Sequence, residues 1–221
     1  MSRFEPRYRS EDPYRRAMQR DANGFTKNID QEIERFDHIL GTALEQSEYR
    51  RPLTGILSVL DVTCGYCYEA PALANHFGHL NITGIDINAD MIEVAKERAK
   101  DLPGNHEFII GDAGRLNAYP EMPAKVDVAL IRRQNIFHVP RAWENIFDQT
   151  MQHLTTNGLA IVTSLTDIEH EMMTNAFSNL GYDADERVSS MTPYHENTYD
   201  PNTLGTLPID YRVAVFHKYA S

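Results

Sequence analysis

Apolar residues recur along the chain in two different patterns. Near the start they lie three and four residues apart, which predicts an amphipathic helix that packs on the rest of the protein. The apolar positions of this stripe are Ile29, Ile33, Phe36, Leu40 and Leu44, within a region predicted to be helical from residue 11 to residue 44. From Ile56 onward, short apolar runs alternate with helical patterns. This alternation is typical of a doubly wound α/β fold, in which helices cover both faces of a mostly parallel sheet.

The apolar runs predict the strands of this sheet. Each run is short and rich in β-branched or large apolar residues, as strands buried on both faces are. Parallel strands are predicted at 56–62, 82–87, 107–110, 126–131 and 159–164, separated by helices at 70–77, 89–101, 141–154 and 168–180. Two more runs, 182–190 and 211–219, have no helix between them and predict an antiparallel pair at the sheet edge. The expected sheet is therefore seven-stranded.

Two residues predict where helices begin. Asn88 can cap the helix that follows the second strand, because its side chain accepts hydrogen bonds from the first free backbone amides. Pro71 is tolerated only in the first turn of a helix. The helix that contains it is therefore predicted to begin a few residues after the glycine turn that follows the first strand.

Length and composition indicate one hydrophobic core. With 221 residues, 42% of them hydrophobic, the chain can bury one core and carry an appendage. We therefore divide it into an N-terminal helical extension or lid at 1–52 and a main domain at 53–221. The oligomeric state is left open, with a homo-oligomer as one alternative.

Charge and cysteine content restrict the partners and the location. The formal net charge of -11 argues against nucleic acid as the main partner, since binding a phosphate backbone requires clustered Lys and Arg. The chain starts without an apolar signal segment, and its two cysteines make no disulfide framework. It also lacks a run of about 18 apolar residues that could span a membrane. We expect a cytoplasmic protein with no membrane partner.

Polar residues follow the predicted strands at one edge of the sheet. In an open parallel sheet, ligands bind outside the carboxyl ends of the strands. These ends carry 61–65, Asp86, Asp112 and 132–138. Asp86 lies roughly 20 residues past the glycine turn, where a carboxylate can accept hydrogen bonds from both hydroxyls of a ribose. Asp112, at the next strand, can accept from an exocyclic adenine amine, so this edge predicts a nucleoside-shaped site.

Five motifs in order resemble those of the class I S-adenosylmethionine-dependent methyltransferases. They are ILSVLDVTCG, ITGIDINADMIEVAKERA, FIIGDAGRL, VDVALIRRQNIFH and LTTNGLAIVTS. YDADERVSS and YRVAVFHKY resemble the last two strands of the family's seven-stranded sheet. The resemblance covers about residues 56–219, and it implies a methyltransferase whose cofactor is S-adenosylmethionine.

The resemblance also implies which residues bind the cofactor. They are Asp61, Thr63, Gly65, Asp86, Ile87, Asp112, Ala113 and Arg132. The loop after the first strand would face the methionine part, Asp86 the ribose, and Ile87 the face of the adenine ring. Asp112 and Ala113 would contact the adenine edge, and the backbone at Arg132 would lie beside the methionine amine.

The glycine loop departs from the family's D-x-G-x-G-x-G pattern. Thr63 and Cys67 stand where the first and third glycines are usual. A left-handed backbone at Thr63 would cost about 1–2 kcal/mol. A second interpretation is therefore a methyltransferase-like binding module that has lost catalytic activity.

The same loop leaves other chemistries open. Cys64 and Cys67 have the spacing of a redox dithiol, which would require a cysteine of low pKa. They could also supply half of a zinc site, but the nearest further candidates, His76 and His79, lie at the far end of the following helix, so no metal is expected. A dinucleotide is disfavoured because the G-x-G-x-x-G motif is absent.

The acceptor of the methyl group is predicted to be a small molecule. The fourth motif reads RRQN rather than the N-P-P-Y type of many amino methyltransferases of DNA, bases and proteins, and the acidic charge favours the same conclusion. A general base is needed only where the acceptor must lose a proton. The candidate catalytic residues are His138, Asn135 and Tyr194, with Gln134, His195 and Tyr199 as further polar residues of the same two segments.

Two more expectations concern the acceptor side. Arg132 or Arg133 could bind an acceptor carboxylate through two parallel hydrogen bonds. Alternatively, they could form a surface pair or a salt bridge to the helix that contains Glu144. The loop 191–210, which is long and proline-containing, would cover the acceptor together with the N-terminal extension.

Overall fold

The structure is a computed structural model that describes residues 29–49, 56–132, 134, 136–164, 166–190, 210 and 212–219. Its helices are α1 (Ile29–Gln46), α2 (Ala70–Phe77), α3 (Ala89–Ala99), α4 (Pro140–His153) and α5 (Asp167–Asn179), with a short 3-10 helix at Ala113–Ala118. Its strands are β1 (Leu57–Val62), β2 (Leu80–Asp86), β3 (Glu107–Ile110), β4 (Val126–Ile131), β5 (Leu154–Ser164) and β6 (Arg212–His217).

The strands form one sheet in the order β3-β2-β1-β4-β5-β6. The first five pair in parallel, and β6 runs antiparallel to β5. The strand order reverses between β1 and β4, which is where open α/β sheets form a ligand-binding crevice. The predicted α/β fold with a mostly parallel, doubly wound sheet is confirmed.

Helices cover both faces of this sheet. On one face, α1, α2 and α3 pack on side chains such as Val59 and Val128. On the other face, α4, α5 and the 3-10 helix pack on the alternate side chains, such as Leu60 and Ala129. Because successive strand residues point to opposite faces, a sheet covered on both sides needs apolar residues at nearly every position. This explains the continuous apolar runs in the sequence.

None of the helices within the described ranges is long and apolar enough to cross a membrane. The N-terminal helix α1 falls in the region predicted to be helical, and its residues Phe36 and Leu40 are fully buried. The part of that prediction before residue 29, and the boundary at 52/53, lie outside the described residues. The division into extension and main domain stays a prediction.

The two predicted helix starts are confirmed. α2 begins at Ala70 and has Pro71 in its first turn. Asn88 caps α3, since its Oδ1 accepts from the backbone amides of Asp90 and Met91 at 3.0 and 3.3 Å. The cap holds the start of α3 next to the end of β2, which is the edge of the sheet that carries the candidate site.

The strand predicted at 182–190 is wrong. Only Ala184 forms a β-bridge with β6, an isolated one to Phe216. Two single backbone hydrogen bonds add to it, from Asp185 N to Val215 O at 2.8 Å and from Val213 N to Ser190 O at 3.0 Å, and they do not continue into a ladder. Asp185 forms a turn instead, because its carboxylate accepts from Arg187 N at 3.0 Å and its carbonyl accepts from Val188 N at 3.1 Å. An Asp side chain bonded to its own backbone favours turns over strands. The described residues therefore form six strands instead of the predicted seven.

Candidate functional site

Asp86, the last residue of β2, joins three loops at the carboxyl edge of the sheet. Its Oδ2 accepts from Gly65 N at 3.0 Å, and its Oδ1 accepts from Asn88 N at 2.8 Å. Its backbone carbonyl accepts from Gly111 N at 2.9 Å, which ties the loop after β3 to the same point. The predicted ribose-binding carboxylate is therefore held in place on both sides by backbone amides.

The loop after β1 has a left-handed backbone at alternate residues. The φ angles of Thr63, Gly65 and Cys67 are 56°, 51° and 49°. The loop therefore adopts, with threonine and cysteine, a conformation that glycine adopts without strain. For the β-branched Thr63 this conformation is unfavourable by about 1–2 kcal/mol. Hydrogen bonds support it, from Cys64 N to Ile85 O at 3.1 Å and from Cys67 N to Cys64 O at 2.8 Å.

The loop leaves space above the backbone of Gly65. A Cβ added there would have, among described atoms within 4 Å, a single neighbour, Met91 Sδ at 3.7 Å. By contrast, a Cβ added at Gly84, inside β2, would come within 2.5 Å of the Phe108 ring. The space above Gly65 is therefore a property of the loop and not of the glycines in general.

Beyond β2, apolar and acidic groups alternate along the edge. Ile87 has 75% of its surface exposed and Ile110 has 52%. Asp112 follows β3, and its Oδ1 accepts from Gly114 N at 2.8 Å while its backbone amide donates to Tyr119 Oη at 2.7 Å. Asp86, Ile87 and Asp112 thus stand at neighbouring strand ends, as the sequence predicts.

Asp61 is buried beneath the loop. Its Oδ2 accepts from Cys67 Sγ at 3.3 Å. Burial, and next the negative charge of Glu69, raise the pKa of Asp61 well above its usual range, although Arg132 acts in the opposite direction. The Asp61 carboxyl is therefore held in surroundings that favour its protonated form.

Both cysteines are buried and reduced. Burial raises the pKa of the Cys64 thiol, and burial together with Asp61 raises the pKa of the Cys67 thiol. A catalytic dithiol needs the opposite, since the thiolate is the nucleophile. The redox interpretation is not supported by this geometry, and within the described part of the chain no group of His, Cys, Asp and Glu is arranged to hold a metal ion.

Arg132, which directly follows β4, lies at the centre of a buried charged cluster. Its Nη1 donates to Glu69 Oε2 at 3.1 Å, its Nε donates to Asp210 Oδ1 at 3.2 Å, and its Nη2 donates to Asp210 Oδ2. Thr163 Oγ1 also donates to Asp210 Oδ1. The guanidinium carbon lies 4.3 Å from the ring centroid of Phe36 on α1, a cation–π contact. We call Arg132, Glu69, Asp210 and Thr163 the arginine cluster.

The arginine cluster corrects the expectations for Arg132. Its guanidinium was expected to meet an acceptor carboxylate or the helix of Glu144, and it instead pairs with two buried carboxylates of the chain. The fork of the guanidinium is used on Asp210, so its side chain does not present two free donors to a ligand. Arg133 lies outside the described residues, and its predicted role stays a prediction.

Glu69 and Asp210 were not predicted from the sequence as parts of the site. Glu69 had one signal, its place directly before the helix that follows the glycine loop. For Asp210 there was none, because its contact with Arg132 spans 78 positions of the chain. Of the predicted catalytic residues, His138 is exposed after β4, while Asn135 and Tyr194 lie outside the described residues.

A model of the methyltransferase domain family matches residues 59–158 of the chain. The matched segment runs from β1 into β5. It includes the loop after β1, Asp86, Asp112 and Arg132, and therefore most of the edge described above.

Known proteins resemble the chain in part of its sequence and most of its fold. Over 71 residues the chain is 39% identical to a demethylmenaquinone methyltransferase from Thermotoga maritima, and this stretch is 32% of this chain and 29% of that relative. The plantazolicin methyltransferase BamL, solved with a triazolic desmethylPZN analog and SAH, is similar with a TM-score of 0.58 and 15% identity over 91% of both chains.

A second solved structure agrees with this fold. CalS10, an amino pentose methyltransferase from Micromonospora echinaspora solved with bound SAM, is similar with a TM-score of 0.56 and 11% identity over 81% of this chain and 91% of its own. At such identities the likeness concerns the path of the backbone.

Proposed function

We propose that the chain is a class I S-adenosylmethionine-dependent methyltransferase, and that it transfers the methyl group of this cofactor to a small-molecule acceptor. The observation that carries the proposal is the position of Asp86. Its carboxylate stands at the end of β2, bonded to Gly65 N and Asn88 N, with the exposed Ile87 beside it.

The residues at this edge fit a nucleoside with a methionine tail. Each carboxylate oxygen of Asp86 accepts one backbone amide and has a further lone pair for a ribose hydroxyl. Ile87 supplies an exposed apolar surface for an adenine face. Asp112 supplies an acceptor for an exocyclic amine, beside the backbone of Ala113. The space above Gly65 lets a ligand approach the loop backbone closely.

The buried carboxyls suit the methionine part of the cofactor. Its sulfonium and amine are cationic, and Asp61 lies with Glu69 under the loop that Thr63 and Gly65 form. A nearby cation favours the ionised form of a buried carboxyl, whose pKa burial otherwise raises. We assign to Asp61 and to the backbone at Arg132 the positioning of this part.

The remaining task of the protein is alignment. When bound, S-adenosylmethionine supplies an activated methyl group on sulfur, so the chain has to hold the acceptor's lone pair in line with that methyl group. His138, Asn135 and Tyr194 are our candidates for groups that contact the acceptor. One of them would accept a proton where the acceptor is a hydroxyl.

A small acceptor is supported by charge and by similar proteins. The net charge of -11 does not suit a nucleic-acid backbone. The names of the similar enzymes given above refer to demethylmenaquinone, plantazolicin and an amino pentose. We propose in addition that 1–52 and 191–210 cover the acceptor, and that the protein works in the cytoplasm.

Calorimetric titration with S-adenosylmethionine and, separately, S-adenosylhomocysteine tests the proposal. The wild type should bind both saturably under reducing conditions, and Asp86→Ala should weaken both. Asp90→Ala is the matched control, because Asp90 is an exposed residue in the first turn of the neighbouring helix α3. Binding unaffected by Asp86→Ala would contradict the assignment of the site.

The left-handed backbone of Thr63 and Cys67 favours one alternative, a binding module without turnover. Saturable binding without methyl transfer to any acceptor would support the module. No binding of either compound would contradict both functions, because both need the cofactor site.

A further inference from the structure

Gln134 lies at the carboxyl edge of the sheet, two residues after Arg132. Its side chain is fully buried, and its Nε2 donates to Ser164 Oγ at 3.0 Å. Ser164 is the last residue of β5, and Gln134 follows the end of β4. The carboxamide is therefore fixed between two neighbouring strand ends, in the half of the sheet away from β2 and β3.

The other atom of this carboxamide is unpaired. Gln134 Oε1 is buried and has no hydrogen-bond partner in the part of the chain that the structure describes. The large majority of buried side-chain polar atoms in proteins have a partner, since an unpaired buried oxygen is unfavourable. An amide fixed at one end and unpaired at the other is the arrangement expected where a ligand supplies the missing donor.

The surroundings restrict the chemistry of that ligand. An amide oxygen has no net charge and cannot offset the burial of an ammonium, so at this buried position it suits a neutral O–H or N–H donor. On the same segment, Phe137 and Val139 are apolar and 48% and 52% exposed. Such side chains favour an apolar body on the ligand.

We propose that Gln134 binds the methyl acceptor, and that its Oε1 accepts a hydrogen bond from a neutral hydroxyl or N–H group on an acceptor with an apolar body. The inference rests on the proposed function, in which Asn135 and His138, on the same segment after β4, are candidates for contact with the acceptor. It names the class of acceptor and assigns Gln134 a binding role and not that of a base.

Phenol and anisole make a matched pair of probes, because they differ in the hydroxyl donor. Their affinities are measured by ligand-observed NMR, with and without saturating S-adenosylhomocysteine. The wild type should bind phenol on the order of five-fold more tightly than anisole, the effect of one neutral hydrogen bond. In Gln134→Met, which keeps the side-chain length and loses the acceptor, this ratio should fall to about one.

Several results would overturn the inference. One is that the wild type binds phenol no more tightly than anisole, or binds neither compound. Another is that the ratio of the phenol and anisole affinities is the same in Gln134→Met as in the wild type. A loss of S-adenosylhomocysteine affinity in Gln134→Met would also overturn it, because the donor would then come from the cofactor. A different result would contradict the proposed function alone. In that case the wild type would not bind S-adenosylhomocysteine but would still bind phenol more tightly than anisole.

The melting temperature of the ligand-free protein gives a second readout. The double variant Gln134→Met/Ser164→Ala removes the unpaired oxygen together with both members of the Nε2–Oγ hydrogen bond, so its melting temperature should equal or exceed that of the wild type. Ser164→Ala, which removes the partner of Nε2 and leaves both amide atoms unpaired, should lower it. A decrease of about 3 °C or more in the double variant would show that Oε1 has a structural partner and would contradict the inference.

Discussion

The two halves of the sheet hold their polar groups by different kinds of contact. In the half made by β1, β2 and β3, carboxylates accept from backbone amides, as Asp86 does from Gly65 and Asn88. In the half made by β4, β5 and β6, charged side chains pair with one another, as Arg132 does with Asp210. The first arrangement leaves side-chain oxygens with capacity for a ligand, whereas the second uses its donors within the protein.

This difference predicts where substitutions act. Substitution of Asp86, which backbone amides hold, should change ligand affinity while the fold stays stable. Substitution within the arginine cluster should change the free energy of unfolding, since a buried charge left without its partner is strongly unfavourable.

The largest effect is expected from Arg132→Met. The substitution leaves Glu69 and Asp210 buried without their cation, so the free energy of unfolding should fall by about 3–5 kcal/mol in chemical denaturation. Arg132→Lys is the matched control, because it keeps the charge and loses the forked pairing; its loss should be smaller. If the free energy of unfolding fell by less than about 1 kcal/mol in Arg132→Met, the proposed difference between the two halves of the sheet would be contradicted.

Asp61→Asn should change how stability depends on pH. Because the pKa of Asp61 is raised in the folded protein, the folded state binds its proton more tightly than the unfolded state does. The contribution of this carboxyl to the free energy of unfolding is fully present below its pKa in the unfolded chain. It is lost as pH rises from about 4 toward the pKa in the folded protein, by up to about 1.4 kcal/mol per pH unit. Chemical denaturation at several pH values should show that the free energy of unfolding of Asp61→Asn increases relative to that of the wild type as pH rises.

Asp185 provides the control of opposite sign. Hydrogen bonds from Arg187 lower the pKa of Asp185 to about 2. Its contribution to stability is therefore present above pH 4 and is lost as pH falls toward 2. Asp185→Asn should be less stable than the wild type at neutral pH and should approach it on acidification; parallel pH curves for the two variants would contradict both assignments.

Gly65→Ala should show how far a substitution in the half made by β1, β2 and β3 weakens cofactor affinity beyond its effect on stability. The left-handed backbone makes alanine unfavourable by about 1–2 kcal/mol, and the new Cβ also enters the space above the loop. Titration with S-adenosylmethionine should show at least a ten-fold weaker affinity, which is about 1.4 kcal/mol. Gly181→Ala has the same kind of backbone strain, with φ 86° and no described atom within 4 Å of the added Cβ, and should leave the affinity unchanged.

The smallest effect is expected from Thr63→Gly. Glycine adopts φ 56° without the steric strain of a β-branched residue, so the variant should gain about 1 kcal/mol in free energy of unfolding. Thr63→Ala keeps the strained backbone and should gain less than glycine does. Equal stability of the two variants would indicate that the loop is not strained at this residue.

Sequence patterns were sufficient for most of the fold. β3 and β4 lie at the predicted residues, because buried strands between turns are marked by apolar runs. β5 begins five residues earlier than predicted, at Leu154, since it includes the polar stretch Thr155–Gly158 with a left-handed residue at Asn157. Residues 182–190 were misassigned because the turn at Asp185 depends on a side chain bonding its own backbone.

The site residues that could be predicted from the sequence lie in one half of the sheet, and those that could not lie mainly in the other. Asp86 and Asp112 were predictable because position at a strand end decides their role. The arginine cluster and the Gln134–Ser164 pair were not, because they join residues between 30 and 78 positions apart. A one-dimensional pattern contains no information on which distant charges meet.

The arginine cluster also limits how freely this protein could be redesigned. One guanidinium contacts Phe36 of α1, Glu69 beside the cofactor loop, and Asp210 at the end of the proposed acceptor-covering segment. A graft of the 191–210 segment from a relative, made to transplant its acceptor preference, would bring a foreign residue opposite Arg132. Such a chimera should tolerate the exchange only where the graft retains a carboxylate at position 210, so the segment that we propose to cover the acceptor cannot be exchanged independently of the core.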